Sequence, residues 1–347
     1  AIDECLKDSN IMLILCGSSI SMMEKGVLSY KSPLYGRRTG QWKLKPFKLC
    51  EFCKVFRTLP MEEIVKIYSV FGDIPAYFLQ YDKKKSFEWN IKEKILAKGA
   101  YLYDEGEILL REELKEPEAY FDILKAMTLA AKPSKIANIA GINARDLPKY
   151  IKRLASLEIV ERITPVTEKA RTKSSLYFIR DNFLNFWFRF VYPNKSELEE
   201  RRVDEVFELI REKLDKEIQK AFERFCLKAI KERAVFREFF FTKIGRQWGK
   251  IPKKPKGKNT YEIDIVALNE KSKEVLFAEC KWQSKVNAER TVKELAEKAR
   301  YVEWNSGKRK EHYAIFAKSF SKRIEEFEGR PVYCIGLREL EREVKKP

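Results

Sequence analysis

The stretch YEIDIVALNEKSKEVLFAECKW, Tyr261–Trp282, decides how the C-terminal part of this chain is expected to fold. Two short apolar runs, Ile263–Leu268 and Val275–Ala278, flank a polar turn at Asn269–Glu274. Short apolar runs bounded by turn residues are typical of paired strands. The stretch therefore predicts a β-hairpin.

This hairpin can bring two acids and a lysine together. Because side chains alternate along a strand, Asp264 is expected on one face of the first strand, with Ile263 and Ile265 sharing the opposite face. Glu279 and Lys281 share a face of the second strand. Two carboxylates can bind a divalent cation through oxygen, and a neighbouring lysine can orient water or stabilise charge on a phosphate. The alternative is a surface hairpin whose charges are simply solvated.

The composition narrows the class of protein. With 347 residues, 44% hydrophobic and 35% charged, the chain is long enough for two or three soluble domains. No apolar run approaches the ~18 residues of a membrane-spanning helix, and the first residues lack the pattern of a signal peptide. A cytoplasmic protein without a membrane partner is expected.

The charge favours a polyanionic partner. The chain has 70 Lys and Arg against 52 Asp and Glu, a net charge of +18. Such an excess is typical of proteins that bind nucleic acid or an anionic membrane surface. A Lys- and Glu-rich surface of the kind that thermophiles use is the alternative. DNA is the partner that we expect.

Cysteine and histidine usage argues against several catalytic chemistries. The seven cysteines mostly stand in apolar surroundings, which predicts buried thiols in a reducing cytoplasm. Cys50 and Cys53 form a lone C-x-x-C without a second pair, which argues against a zinc site. The single histidine, His312, argues against a Ser-His-Asp triad and is expected to be structural, at the start of a strand.

The first fifty residues contain two predicted strands. The continuous apolar run Ile11–Cys16 is typical of a buried parallel strand, and Trp42–Phe47 alternates as a strand does. Between them lies a loop, Tyr35–Gly40, with two adjacent arginines, Arg37 and Arg38.

The segments LILCGSS, SPLYGRRTG, LKPF and YSVFGDIPAYF resemble an archaeal family of AAA+-type ATPases. The resemblance implies a polar sensor at Ser18 or Ser19, a helical lid over Met61–Leu114, and Arg37 and Arg38 near a nucleotide phosphate. Solvated loop arginines are the alternative. No G-x-x-x-x-G-K-[ST] occurs, and no Walker B strand precedes residue 11. ATP is therefore expected only if a missing front half is present.

The region Tyr120–Phe178 predicts a winged helix-turn-helix. Its third helix, beginning near Asp146, would be the recognition helix, with Pro148 in its first turn. The basic residues expected to contact DNA are Arg145, Lys149, Lys152 and Arg153. Packing between domains is the alternative use of such a module. The expected elements are helices Ala119–Ala131 and Ser134–Ala140 and strands Ile159–Val166 and Ser175–Ile179.

An aromatic run, Arg180–Pro193, follows this module. It holds little charge, which favours a buried connector between domains over an aromatic box for stacking bases.

The remaining chain predicts the element order α-β-β-β-α-β, followed by a further α-β. A long amphipathic helix, Val203–Arg233, comes first. The other expected elements are strand Phe236–Ile244, the two hairpin strands, helix Ala288–Trp304, strand Tyr313–Ala317, helix Phe320–Phe327 and strand Val332–Ile335.

This order and the Asp…Glu-x-Lys motif resemble the PD-(D/E)XK nuclease superfamily. The resemblance implies that Asp264, Glu279 and Glu223 bind Mg²⁺ or Mn²⁺ and that Lys281 is the catalytic lysine. Ile263 stands where the strict motif has proline. The superfamily also contains inactive, binding-only members.

A basic segment, Lys243–Lys258, is expected to be a mobile loop that contacts phosphates. A solvated loop is the alternative. The lysines proposed for contact are Lys250, Lys253, Lys254 and Lys256.

The sequence thus predicts an α/β multi-domain protein with a mixed sheet. The expected units are residues 1–115 (rear part of an AAA+-type ATPase), 116–180 (winged helix), 181–202 (connector) and 203–347 (nuclease-like domain). Three functions remain open: a metal-dependent DNA nuclease, a non-catalytic nucleic-acid-binding region, or a protein-docking region. The expected partners are DNA and either a second copy or a missing N-terminal ATPase half.

Overall fold

The computed structural model describes residues 10–17, 19–32, 34–168, 174–255 and 257–345. A helical region comes first, followed by three helices with a two-stranded sheet, an aromatic connector and a six-stranded mixed sheet with its helices. The expected α/β architecture with a mixed sheet is confirmed at this level.

The first helices surround α3 (Met61–Phe71), which is buried on almost every side. Pro60 precedes this helix, two glutamates occupy its first turn, and Gly72 ends it with a φ of 69°. Positive φ favours glycine, so Gly72 allows the chain to turn sharply out of the helix. The helical character expected of Met61–Leu114 is confirmed. The helices are α1 Ile20–Met22, α2 Leu49–Val55, α3 Met61–Phe71, α4 Pro75–Phe78, α5 Phe87–Ile91 and α6 Glu105–Glu113, with π-helical turns at Met23–Leu28 and Lys92–Leu96.

The two strands expected before α2 do not form. Ile11–Cys16 is irregular and exposed, and Trp42 and Leu44 are 89% and 86% exposed. A buried parallel strand needs neighbouring strands on which to pair. Among the described residues no strand pairs with either segment.

Three helices and a small sheet follow in the predicted order. The third helix begins at Leu147 with Pro148 in its first turn, as expected. The two strands are antiparallel, with Val160 opposite Ile179, and are shorter than expected. The elements are α7 Glu118–Leu129, α8 Pro133–Ile139, α9 Leu147–Ser156, β1 Val160–Ile163 and β2 Leu176–Ile179.

The aromatic run is a buried connector. It consists of α10 (Asn182–Phe186), a π-helical turn (Trp187–Val191), a 3₁₀ turn (Tyr192–Asn194) and α11 (Lys195–Glu199). Five of its aromatic residues are at most 3% exposed, so the run is buried as expected and these rings have no free face for stacking on bases: Phe183, Phe186, Trp187, Phe188 and Phe190.

The long helix α12, Val203–Lys231, packs one face on α3 and another on the sheet. Phe225 of α12 meets Tyr68 of α3 edge to face, with ring centroids 5.4 Å apart. Lys228 pairs with Asp73 just beyond α3. The helix therefore joins the N-terminal helices to the sheet.

The large sheet has the strand order β3-β4-β5-β7-β10-β9. β3 and β5 are each antiparallel to β4, β7 is parallel to β5 and β10, and β9 is antiparallel to β10. A short parallel pair, β6 with β8, lies apart from it. The elements are β3 Lys243–Lys250, β4 Thr260–Asn269, β5 Glu274–Lys281, β6 Val286–Asn287, α13 Ala288–Ala299, β7 Lys310–Ala317, β8 Phe320–Lys322, β9 Glu326–Phe327, β10 Arg330–Ile335 and α14 Leu337–Val344.

The predicted hairpin and helix α13 are confirmed, but two other segments differ from expectation. Phe236–Ile244 contributes only its last residues to a strand, because its phenylalanines pack as a loop cluster; Phe239 stacks on Phe241. The strand is Lys243–Lys250 instead, so the first half of the expected basic loop is a strand. Phe320–Phe327 is not a helix, because its backbone pairs with β6 and β10.

Two apolar cores lie on the two faces of the sheet. The first is continuous from Leu49 to Val344 and contains the helical region, the connector, α12 and the sheet residues on that side. The second lies under α13. The first core runs across all three of the expected domain boundaries, at residues 115, 180 and 202.

Candidate functional site

A β-bulge in β4 shapes the candidate site. Gly245 of β3 faces Val266, whereas Gln247 faces Ile263, so two residues of β4, Asp264 and Ile265, stand opposite one residue of β3. A bulge shifts the alternation of side chains by one position. Accordingly Ile263 belongs to the second core and Ile265 to the first. The expectation that these two isoleucines share a face is wrong for this reason.

The bulge aims the Asp264 carboxylate at β5. Its Oδ2 accepts a hydrogen bond from the backbone N–H of Cys280 at 2.8 Å. Pairing between β4 and β5 starts only at Ile265, opposite Ala278. The side chain therefore replaces a backbone ladder bond at the point where the strands separate, and Asp264 is fixed beside Glu279 and Lys281.

Glu279 is held by two lysines. Its side chain is 8% exposed. Its Oε1 accepts from Lys281 Nζ at 2.8 Å and from Lys298 Nζ at 3.1 Å, and its Oε2 accepts from Lys298 at 2.9 Å. Hydrogen bonds from two ammonium groups compensate for the solvation that burial takes from this carboxylate. Lys298 comes from the last turn of α13.

Glu223 reaches the site from α12. Its Oε1 accepts from Gln219 Nε2 at 3.0 Å, and its Oε2 lies 3.3 Å from Arg246 Nη2 of β3. Gln219 also donates to the Cys280 carbonyl at 2.9 Å and accepts from the Trp282 N–H at 2.6 Å. The glutamine thus fixes α12 to the end of β5, which holds Glu223 close to the hairpin.

The three acids repel one another. Burial, followed by the nearby Glu223 and Glu279, raises the pKa of Asp264 to about 8. Burial also raises the pKa of Glu223, against the opposing effects of Arg246 and Gln219. Burial alone would lower the pKa of Lys281, but its hydrogen bond to Glu279 and the surrounding carboxylates outweigh this, so the Lys281 pKa is raised.

The four residues that the nuclease resemblance implied lie close enough for their charges to interact, and Lys281 also contacts Glu279 directly: Glu223, Asp264, Glu279 and Lys281. Their donor chemistry fits a hard divalent cation, which prefers carboxylate oxygen. No three His, Cys, Asp or Glu side chains within the described ranges form a ready-made metal-binding group.

Three neighbours of the acids were missed by sequence reasoning: Gln219, Arg246 and Lys298. Gln219 stands four residues before Glu223, so helical spacing places both on one face and could have revealed it. No local signal marks Arg246 or Lys298, because tertiary packing alone brings them to the site.

The basic residues of the three-helix unit divide into two groups. Arg145, Lys149 and Lys152 are exposed on or just before α9. Arg153 is partly buried, and its Nη2 donates to the Glu113 carbonyl of α6 at 3.1 Å. Arg153 thus packs α9 against its neighbour, and its expected contact with DNA stays a prediction.

The remaining residues predicted to contact DNA or a nucleotide lie at a strand end, in exposed loops or outside the described residues. Lys250 ends β3, and Lys253 and Lys254 are exposed in the following loop, while Lys256 lies outside the described residues. Arg37 and Arg38 lie in an exposed turn, and Ser18 is also outside the described residues.

Cysteine and histidine positions agree with structural roles. The six cysteines within the described residues are free thiols, and burial raises the pKa of Cys53 to about 12. His312 lies in β7, as expected near a strand start, where burial lowers its pKa and its ring packs 4.9 Å from that of Phe239.

Comparisons with known proteins give relatives without an assigned activity. Residues 187–293 match the DUF234 family model, described as archaeal and bacterial proteins of unknown function. The chain is 37% identical over 286 residues to an uncharacterized protein of Methanocaldococcus jannaschii, a match that covers 81% of this chain and 62% of that protein. The chain thus spans less than two thirds of this relative. Neither comparison names an ATPase or a nuclease. In the part of the chain that the structure describes, no helix has the length and apolarity needed to cross a membrane.

Proposed function

We propose that this chain binds DNA and hydrolyses its phosphodiester bonds at the Asp264–Glu279–Lys281 site with a divalent metal ion. One observation carries the proposal. The bulge in β4 anchors the Asp264 carboxylate on the Cys280 N–H, directly between Glu279 and Lys281 along β5. Three elements, α12, β4 and β5, thereby deliver acids to one place, next to a lysine.

The arrangement of the sheet supports the same proposal. A long helix, an antiparallel β3-β4-β5 meander, helix α13 and the parallel strand β7 follow one another. The resemblance to the PD-(D/E)XK superfamily rests on this element order. In the proposal, residues 203–347 are a nuclease-like domain of this kind.

Each residue has a defined role in this proposal. Asp264, Glu279 and Glu223 would hold Mg²⁺ or Mn²⁺, which would polarise the scissile phosphate and lower the pKa of a water. Lys281 orients the water and compensates charge on the phosphate. Gln219 keeps Glu223 in position through its hydrogen bonds to the end of β5.

DNA contact is proposed for two exposed basic surfaces. One is the α9 face with Arg145, Lys149 and Lys152, and the other is the loop after β3 with Lys253 and Lys254. The cationic side chains of both surfaces are exposed to solvent and suit phosphate contacts. The first would make residues 116–180 a winged helix that docks on the duplex.

The N-terminal part of the proposal rests on sequence resemblance. Residues 1–115 would be the rear part of an AAA+-type ATPase, with Arg37 and Arg38 near a nucleotide phosphate. ATP would bind only together with a front half that supplies the phosphate loop.

The test is cleavage of single-stranded, duplex and branched DNA in Mg²⁺ or Mn²⁺. Asp264→Ala and Lys281→Ala are expected to abolish cleavage while DNA binding persists. Lys271→Ala, in the exposed turn of the same hairpin, is the matched control and should cleave as the unmodified chain does. Cleavage that survives both site substitutions would contradict the proposal.

A second candidate, non-catalytic DNA binding, is favoured by one contact. Lys298 donates to both oxygens of Glu279, so this acid is already neutralised without a metal ion. Tight, salt-sensitive DNA binding without cleavage by the unmodified chain would select this candidate.

A further inference from the structure

The two lysines on Glu279 hold it differently. Lys281, two residues along the same strand, reaches only Oε1, at 2.8 Å. Lys298, from α13, reaches both oxygens, at 3.1 and 2.9 Å. Only Lys298 therefore spans the pair of atoms through which a carboxylate binds a cation.

The burial of Glu279 makes this contact consequential. With a side chain 8% exposed, its carboxylate has little access to water. Its charge must be balanced by protein groups or by a bound cation. Lys298 supplies that balance through both carboxylate oxygens, and its side chain is one third exposed, so it has a path toward solvent.

We propose that Lys298 is a positioning residue that competes with the divalent cation for Glu279. It holds the carboxylate in place when no cation is bound, and it releases at least one oxygen when a cation binds. The inference rests on the proposed metal site, and it adds a residue that the Asp…Glu-x-Lys motif does not contain.

Release would also give Lys298 a second location. An ammonium displaced from Glu279 remains at the end of α13 beside the same site, where a substrate phosphate can accept its hydrogen bonds. The lysine thus changes partner from a carboxylate to a phosphate without leaving the site.

The experiment is calorimetric titration of the full chain with Mn²⁺ in the absence of DNA. Removing the competitor in Lys298→Met is expected to tighten Mn²⁺ binding several-fold. Lys298→Arg keeps a two-pronged donor to the carboxylate and should not tighten it. Lys293→Met, an exposed lysine on the same helix, is the matched control and should bind as the unmodified chain does.

The outcomes separate this inference from the proposed function. Unchanged or weaker Mn²⁺ binding by Lys298→Met, with binding by the unmodified chain, would overturn the competition and leave the metal site standing. No Mn²⁺ binding by any of the proteins would overturn both. Thermal unfolding checks that each variant is folded. Lys298→Gln, which keeps a neutral donor to Glu279, is expected to tighten binding too and carries the test if the methionine variant does not fold.

Discussion

The Asp264 carboxylate accepts a hydrogen bond from the Cys280 backbone N–H at 2.8 Å, across two strands that no longer pair at that point. The contact is structural, because it replaces a ladder bond, and chemical, because it places an acid beside Glu279 and Lys281. These two contributions can be separated by substitution.

Asp264→Ala should destabilise the fold more than Asp264→Asn does. Alanine leaves the N–H of the buried Cys280 without an acceptor, which costs roughly 1–3 kcal/mol, whereas asparagine retains an oxygen acceptor. Urea unfolding of the metal-free proteins measures the difference. Both variants should lose Mn²⁺ binding to the same extent. Equal stability of the two variants would show that the hydrogen bond contributes nothing.

The second prediction concerns pH and a carboxyl away from the site. Asp181 caps α10 by accepting from the Leu184 N–H at 2.8 Å, and burial raises its pKa from 3.8 to about 7. An acid with a raised folded-state pKa binds its proton more tightly in the folded than in the unfolded chain. Its stabilising contribution is therefore complete below about pH 4 and is lost as the pH rises to about 7.

Asp181→Asn removes this loss and keeps the cap, since asparagine also caps helices. The variant should be more stable than the unmodified chain at pH 8, and its stability should depend less on pH between 4 and 7. Denaturant unfolding at a series of pH values measures both. A pH dependence identical to that of the unmodified chain would contradict the assignment.

The third prediction addresses DNA contact by α9. Lys149→Ala and Lys152→Ala should weaken binding to duplex DNA of any sequence. The slope of log K against log salt is negative, and each lost phosphate contact should make it less negative by about 0.9. Fluorescence anisotropy at several salt concentrations measures this slope.

Arg153→Ala provides a contrast on the same helix. Because Arg153 donates to the Glu113 carbonyl, its loss should lower stability and leave the salt slope unchanged. A weaker salt dependence of DNA binding in Arg153→Ala, with no change in the two lysine variants, would show that DNA lies on the other side of α9.

The fourth prediction tests the packing of the connector. A Cβ added at Gly106 of α6 would lie 2.5 Å from ring atoms of Trp187, which is fully buried and donates its Nε1–H to the Tyr103 carbonyl at 2.9 Å. Gly106→Ala should therefore cost on the order of 1–2 kcal/mol, despite the better helix propensity of alanine.

Gly40→Ala is the control, since a Cβ there meets no atom within 4 Å. Thermal unfolding of both variants decides the matter. Equal melting temperatures would mean that Trp187 moves aside without cost.

The parts that could be predicted from the sequence depend on local patterns. Apolar alternation and a polar turn identified the hairpin, and helical spacing identified Val203–Lys231 and the helix that begins at Leu147. Asp264, Glu279 and Lys281 could be proposed as a cluster because strand spacing brings them close together within a short stretch. Glu223 was found through the family resemblance.

The rest could not be predicted because it depends on distant partners. Ile11–Cys16 has the composition of a buried strand, but no strand among the described residues pairs with it. The bulge at Asp264 depends on pairing with β3. The phenylalanines of Phe236–Ile244 predict a strand too early in the chain, so the position of β3 could not be read from the sequence. Lys298 reaches Glu279 only after α13 packs on the sheet.

The continuous first core, from Leu49 to Val344, bears on how this protein can be rearranged. The long helix α12 packs on α3 with one side and on the sheet with another. The last helix, α14, packs against α2 and α3. The match to the DUF234 family model begins at residue 187, within the aromatic connector and not at the helix. A gene fusion that moved residues 203–347 alone to another protein would expose apolar side chains that the first core buries. Recombination at that boundary would therefore be selected against.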